Sequence, residues 1–347
     1  MVRIGVVGYG TGGQHFHTPF VAAAKNCQLA GIVARADETI AKARADWPNT
    51  PIFPSLAAMI EAGVCDAVTI TTPPQTRHEL VLEAINAGLN VIADKPFAPN
   101  YEGAMELDAA AQAKGVILSV YQNRRFDADL QTLKKVIDDG HLGRVWRIES
   151  RMDQDSPQTI EAGPSGGLLR DLGSHVVDQM IYLLGPVQTV DAQMDIADLS
   201  EGPTDVSFTI TLRHTSGAHS HVSACKRNFI DDRELRALGD LGSYVSKTID
   251  IQAQDIFAGK RPVDDLAGWG YEPKENWGIL ATKNGRKVIP SEQGRYHDYY
   301  EAFAEAVKTG GAPPRDGSGW RAHACGLGCG TSKCAGRAQH YVGRKLR

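Results

Sequence analysis

The chain has 347 residues, 42% hydrophobic and 22% charged, with a formal net charge of -4 and a pI near 6.3. That is the profile of an ordinary two-domain globular protein. It lacks the basic face a nucleic-acid binder needs and any run of about 18 uninterrupted apolar residues that could span a membrane. No signal peptide is recognisable in MVRIGVVGYG, which reads as a buried strand, so a cytoplasmic protein with reduced, scattered Cys27, Cys65 and Cys225 is expected.

In chain order, residues 3–7 are a β-rich run, 12–25 a helix candidate, 29–34 a short apolar strand and 37–47 an Ala-rich helix. Runs at 67–71 and 90–93 flank a helical segment at 75–87, and a helix over 100–114 precedes a strand over 116–120. Repeated strand–helix–strand units need crossovers, which make strands parallel and buried on both faces. The expectation is an α/β fold with a doubly wound Rossmann sheet at residues 1–125. Residues 126–347 read as an α+β domain with a large open, mostly antiparallel sheet. Helices fall at 126–139 and 167–184, and strands at 187–194, 205–212, 218–224, 234–238 and 244–247. Tight junctions at Thr215-Ser216-Gly217 and Gly239-Asp240-Leu241-Gly242 join some of these strands into hairpins.

Three segments carry chemistry. Gly8-Tyr9-Gly10-Thr11-Gly12-Gly13 follows the first strand with the spacing of a dinucleotide fingerprint, and opens a helix whose free N–H groups suit a pyrophosphate. At the end of the second strand Arg35 suits an adenosine 2′-phosphate, which favours NADP, although Asp37 is close enough to serve the 2′-hydroxyl of NAD. Lys95, in Asp94-Lys95-Pro96-Phe97, lies beyond the carboxyl end of a parallel strand, where ligands bind. Asp171 and His175 are four apart on the helix over 167–184, with Asp178 and Gln179 extending a polar stripe. A histidine beside a carboxylate suits proton transfer near neutral pH, and equally a hydrogen-bonded core. No cluster in the body of the chain has metal-ligand spacing.

Taken together these phrases resemble the Gfo/Idh/MocA oxidoreductases, nearest to the scyllo-inositol dehydrogenase-like branch. Phe16-His17-Thr18-Pro19, Gln122-Asn123-Arg124-Arg125-Phe126 and Asp171-Leu172-Gly173-Ser174-His175 with Asp178-Gln179 add to the likeness, which covers about residues 1–315. The resemblance implies NADP or NAD as cofactor, bound by Gly8, Tyr9, Gly10, Thr11, Gly13, Arg35, Thr72, Pro73, Lys95 and Asn123. It implies Lys95 as active-site lysine, Asp171 as substrate-binding acid and His175 as the proton-transferring residue. A sugar, inositol or related polyol substrate and a homodimer or homotetramer through the second-domain sheet are implied as well. A cofactor-binding sensor with the same fold, or a keto-sugar or imine reductase, are the alternatives. The stretch from Asp153 to Glu161 is acidic and short compared with the branch, so substrate identity does not carry over.

Past residue 315 the pattern breaks. Residues 317–347 hold three cysteines, many glycines and no acidic residue, where the resemblance implies an Ala-rich helix with acidic residues. A metal site from His323, Cys325, Cys329 and Cys334 lacks a paired C-x-x-C. A basic binding tail is a second reading. The abrupt composition shift points rather to a change of reading frame, in which case translation one base out of register restores an amphipathic helix after Pro314.

Overall fold

The computed structural model describes residues 1–98, 100–163, 166–314 and the main chain of 344–345. Apart from those two residues, the 317–347 tail, with its metal-site and reading-frame readings, lies outside the described residues.

The chain divides into two compact units. Residues 1–123, with 252–269 and 295–314, form the first, and 124–251 with 270–294 belong to the second. The first unit begins with β1 (Val2–Val7), α1 (Thr18–Ala23), β2 (Cys27–Val33), α2 (Asp37–Asp46), β3 (Ile52–Phe53) and α3 (Leu56–Glu61). It continues with β4 (Ala67–Ile70), α4 (Pro74–Asn86), β5 (Asn90–Ala93), α5 (Tyr101–Lys114) and β6 (Leu118–Val120). The strands form one parallel sheet in the order β3-β2-β1-β4-β5-β6. Ile4, Val6, Val68, Ile70, Val91 and Ile92 are fully buried, as strands covered on both faces must be. The order reverses between β1 and β4, the switch point at which such sheets bind ligands. Asn100 caps α5 by accepting from Gly103 N at 2.8 Å, and Gly115 closes it in the left-handed region at φ +66°.

The second unit contains α6 (Ala128–Asp138), β7 (Val145–Asp155), α7 (Ser174–Leu184), β8 (Val187–Leu199), β9 (Gly202–His214), β10 (His219–Cys225), β11 (Arg227–Gly239) and β12 (Gly242–Lys247). After α8 (Ile251–Phe257), which lies almost wholly in the first unit, come β13 (Gly278–Thr282) and β14 (Gly285–Ile289). The sheet order is β14-β13-β12-β11-β7-β10-β9-β8, extended by the two-residue β15 (Arg344–Lys345) beside β8. Neighbours are antiparallel except β7 with β10 and β8 with β15. Leu130, Leu133, Val176, Met180, Ile148, Phe208, Ile210 and Val222 form the core beneath α6 and α7.

A last helix, α9 (His297–Thr309), returns to the first unit and buries Tyr299, Tyr300 and Phe303 completely.

Two helix expectations are corrected in form. Residues 12–25 are not one helix: a wide π-type turn over Gly12–His17 leads into α1. Pro19 explains the restart, since a proline without an N–H is tolerated only in a first turn. Residues 167–184 likewise open with a wide turn over Leu169–Gly173 before α7. β3, α3, β7, α8, β13 and β14 are not anticipated by the sequence patterns.

Candidate functional site

The first unit builds a cradle at the end of β1. Gly8 sits at φ +104°, a conformation other residues rarely adopt, and a side chain there would press on the main chain of Thr71 and Thr72. A Cβ at Gly13 would collide with the Gly8 carbonyl oxygen, so the helix can approach the strand only with glycine there. Around Gly10 a Cβ would meet nothing within 4 Å, leaving the main chain accessible. Thr11 is exposed beside it. The Thr72 hydroxyl is buried without a hydrogen-bond partner. Open main chain at a helix start and an unsatisfied buried hydroxyl fit a dinucleotide phosphate cradle. Pro73 is exposed next to Thr72, and Arg35 is exposed beyond β2. Tyr9 has a different role at the side-chain level: it is buried with Ile32, Ala34 and Ala43, and its hydroxyl donates to Asp46 Oδ2 at 2.7 Å. Only its main chain is offered to the cradle.

Behind the cradle lies a polar network that the sequence does not announce. Arg77, on α4 and only 4% exposed, donates to the carbonyl oxygen of Thr72 at 2.6 Å, of Asp94 at 3.0 Å and of Pro96 at 2.6 Å. One planar guanidinium thus ties the loop after β4 to the turn carrying Lys95. Asp94 accepts from the Lys95 main-chain N–H at 2.8 Å and from Thr71 Oγ1 at 2.9 Å, and pairs with His17 Nε2 at 3.4 Å. Burial alone would push the Asp94 carboxyl up. The His17 hydrogen bond, with the charges of His17, Arg77 and Lys95, outweighs it and holds the group well below the usual carboxylate range. His17 Nδ1 in turn bonds the Tyr300 hydroxyl at 2.6 Å, and Tyr121 packs against its ring at 4.2 Å. The Phe-His-Thr-Pro phrase, the DKP turn and α9 are therefore parts of one scaffold.

In the second unit the Asp-x-x-x-His segment straddles the wide turn and the start of α7. The wider turn breaks the simple one-face spacing. Asp171 keeps a side chain 37% exposed, while His175 is 6% exposed. Asp171 accepts from Lys226 Nζ at 2.8 Å. Asp178 and Gln179, which extend the stripe in sequence, are structural. Asp178 receives a two-pronged bond from Arg125 at 2.6 and 2.8 Å, and Gln179 Nε2 donates to the Arg124 carbonyl oxygen at 3.1 Å. Arg124 itself bridges Asp127 at 3.2 Å and Asp250 at 3.1 Å. Asn123, the last residue of the first unit's leading segment, is buried at 7% exposure. The Gln-Asn-Arg-Arg-Phe phrase thus holds α7 in place through its two arginines. Arg77 and Lys226 are the residues that sequence reading passes over. Arg77 acts on carbonyl oxygens 5 to 19 positions away and Lys226 on a carboxylate 55 positions away, and a lone basic residue on a helix or at a strand junction gives no local signal.

The same fold and sequence segments recur among known proteins. Residues 2–122 match the family described as oxidoreductase family, NAD-binding Rossmann fold, and residues 130–245 match the GFO/IDH/MocA C-terminal domain. The chain belongs to the Gfo/Idh/MocA oxidoreductase family. It is 32% identical over 323 residues to an uncharacterized oxidoreductase, YdgJ, of Escherichia coli, covering 90% of each chain. It is 30% identical to the scyllo-inositol 2-dehydrogenase (NADP(+)) IolW of Bacillus subtilis, over 90% of this chain and 88% of that one. The structure of the Bacillus subtilis oxidoreductase yvaA superposes with a TM-score of 0.81 at 30% identity, over 92% of this chain and 93% of that one. The fold expected from the sequence, a parallel Rossmann sheet followed by a large, mostly antiparallel one, is the fold of this family member. The protein is an oxidoreductase with a nicotinamide dinucleotide site, and none of its described helices is long and apolar enough to cross a membrane.

Proposed function

We propose that this oxidoreductase moves a hydride between NADP and a secondary alcohol carbon of a sugar, inositol or related polyol. The observation that carries the reading is the pairing, on one short segment of the second unit, of a half-exposed Asp171 with a nearly buried His175. The likeness to an NADP-dependent scyllo-inositol dehydrogenase supports the substrate class.

Bound in the cradle, the nicotinamide ring supplies the hydride acceptor or donor. The chain's residues supply position and proton transfer. Asp171 accepts a hydrogen bond from the substrate hydroxyl. His175 takes the hydroxyl proton during oxidation and returns it during reduction, the task for which an imidazole is suited near neutral pH. Lys95 donates to the reacting oxygen and favours its negative form. Gly8, Gly10, Thr11, Gly13, Thr72, Pro73, Lys95 and Asn123, with the main chain of Tyr9, would hold the dinucleotide, and Arg35 would select the 2′-phosphate. The first unit then serves as the cofactor domain and the second as the substrate and assembly domain, the expected bounds of 1–125 and 126–347 giving way to a chain that returns to the first unit at 252–269 and 295–314. The wide sheet, with Trp146 and Val288 about half exposed, joins copies of the chain as a dimer or tetramer. Size-exclusion chromatography with light scattering tests the assembly.

The decisive experiment is a panel of inositols, other polyols and aldoses with NADP and with NAD, followed by nicotinamide absorbance. Turnover of at least one polyol, faster with NADP, is expected. Tight NADPH binding without turnover of any alcohol or ketone in the panel would make the protein a sensor instead.

A further inference from the structure

Lys226 stands where β10 gives way to β11, and its side chain is 7% exposed. Its ammonium donates to Asp171 Oδ2 at 2.8 Å, across 55 residues of sequence. An ammonium withdrawn from water is costly unless a carboxylate compensates it, and a well-packed apolar side chain would serve a strand junction at least as well. The lysine stem is anchored by its own N–H donating to the Val206 carbonyl oxygen at 3.3 Å.

Asp171 is held from the other side too. Its N–H donates to the Gly167 carbonyl oxygen at 3.1 Å, and the Ser174 hydroxyl donates to its carbonyl oxygen at 3.1 Å. Two positions before it, the Leu169 N–H donates to Asp205 Oδ2 at 2.6 Å, fixing the start of the wide turn. Main chain and side chain of Asp171 are therefore both pinned, while the carboxylate keeps 37% exposure. A purely structural ion pair at this depth would have no need to leave its acid open to solvent.

We propose that Lys226 is a positioning residue for the reaction, its buried ammonium fixing the orientation and negative charge that Asp171 presents to a substrate hydroxyl. This rests on the role proposed above for Asp171. With Lys226 in place the carboxylate acts as a hydrogen-bond acceptor, and the proton is left to His175.

The test uses the full chain carrying Lys226→Met, which keeps the stem and removes the charge, and Lys226→Arg, which keeps the charge. Expected for Lys226→Met is a KM for the best polyol of the panel raised by about tenfold or more, with kcat reduced less. NADPH affinity, read by nucleotide fluorescence, should stay within about twofold, because only substrate binding is touched. Lys226→Arg should recover most of the lost KM. In protein labelled with carboxyl-¹³C aspartate, the Asp171 resonance, assigned with Asp171→Asn, should titrate at higher pH in Lys226→Met than in wild type. An unchanged Asp171 titration overturns the proposal. So do KM and kcat falling together with melting temperature and without recovery in Lys226→Arg. If wild type turns over no polyol, the functional reading fails while the carboxyl titration still decides the role of Lys226 toward Asp171.

Discussion

In the first unit the chemistry sits on loops at the ends of a buried parallel sheet, where Arg77 clamps the two loops nearest the cradle by their main chain, backed by His17 with Tyr300, 283 positions on. In the second it sits at the start of a helix lying on a broad antiparallel sheet, and the groups that hold it come from far along the chain. Arg77 reaches residues 5, 17 and 19 positions away, whereas Lys226 and Arg125 reach partners 55 and 53 positions away. A cradle of the first kind recognises a cofactor shared by many enzymes. An arrangement of the second kind can be retuned to a new substrate by changing one distant residue. The two halves should therefore fail differently when mutated.

The largest separation is expected at His175. His175→Ala should lower turnover by about 10²–10⁴ while NADPH binding, measured by fluorescence titration, is preserved. Lys95→Ala, in the first unit, should lose turnover and weaken the cofactor as well, since its turn is part of the cradle scaffold. A His175→Ala enzyme with near-normal turnover would remove the histidine from the proton path.

Next comes Arg77. Replacing it by Met leaves three carbonyl oxygens without their donor, each worth about 1–3 kcal/mol if it stays buried and dry. Expected are a lower melting temperature and NADPH affinity weakened by about tenfold or more, with little recovery in Arg77→Lys, whose point charge cannot span three acceptors. Equal cofactor affinity in wild type and Arg77→Met would show that the two loops hold their places without the clamp.

How much of this was legible beforehand follows the same division. The glycine spacing, the DKP turn and the parallel order are written in contiguous residues, so the first sheet was readable strand by strand except for the two-residue β3. β7 was passed over although Arg147, Glu149 and Arg151 alternate with Ile148, Ser150 and Met152, the period of a half-buried strand, because its buried face carries only Ile148 and Met152 as large apolar residues. On the other face these charges pair with one another and with Arg236 and Asp232 on β11. Nor does the sequence show that residues 252–269 and α9 return to the first unit, since that return depends on contacts such as Cys27 Sγ donating to the Tyr300 carbonyl oxygen at 3.4 Å. Asp178 and Gln179 extend the polar stripe of Asp171 and His175 in sequence, and helical spacing cannot tell a carboxylate facing substrate from one facing Arg125. Tyr9, read from its place in the loop, turned out to spend its side chain on Asp46.

Cofactor choice offers a finer probe of the first unit alone. Arg35 is exposed, so its bond to a 2′-phosphate is partly screened, and Arg35→Ala should weaken NADP by about tenfold and leave NAD nearly unchanged. Isothermal titration with both nucleotides checks this, and equal losses for the two would transfer the selection to another residue.

The smallest effect is expected in the second unit and appears in stability rather than catalysis. Asp129 is buried on α6, and burial together with the nearby charge of Glu272 pushes its carboxyl up to about 7. Glu272 is raised to about 7 as well, chiefly by burial, although Ser291 donates to it. A carboxyl whose folded pKa lies above its unfolded value binds its proton more tightly when folded. Its contribution is therefore complete below about pH 4 and is lost as pH rises toward 7. The second unit should thus lose stability over that window, while Asp94 in the first, held low, contributes the opposite slope only at more acidic pH. Asp129→Asn stays neutral throughout and should flatten the fall in melting temperature between pH 5 and pH 8, leaving the variant about 2–4 °C more stable than wild type at the alkaline end. Parallel melting curves for wild type and variant across that range would show that the buried pair does not titrate there, and that water or Arg124 keeps Asp129 ionised in the fold.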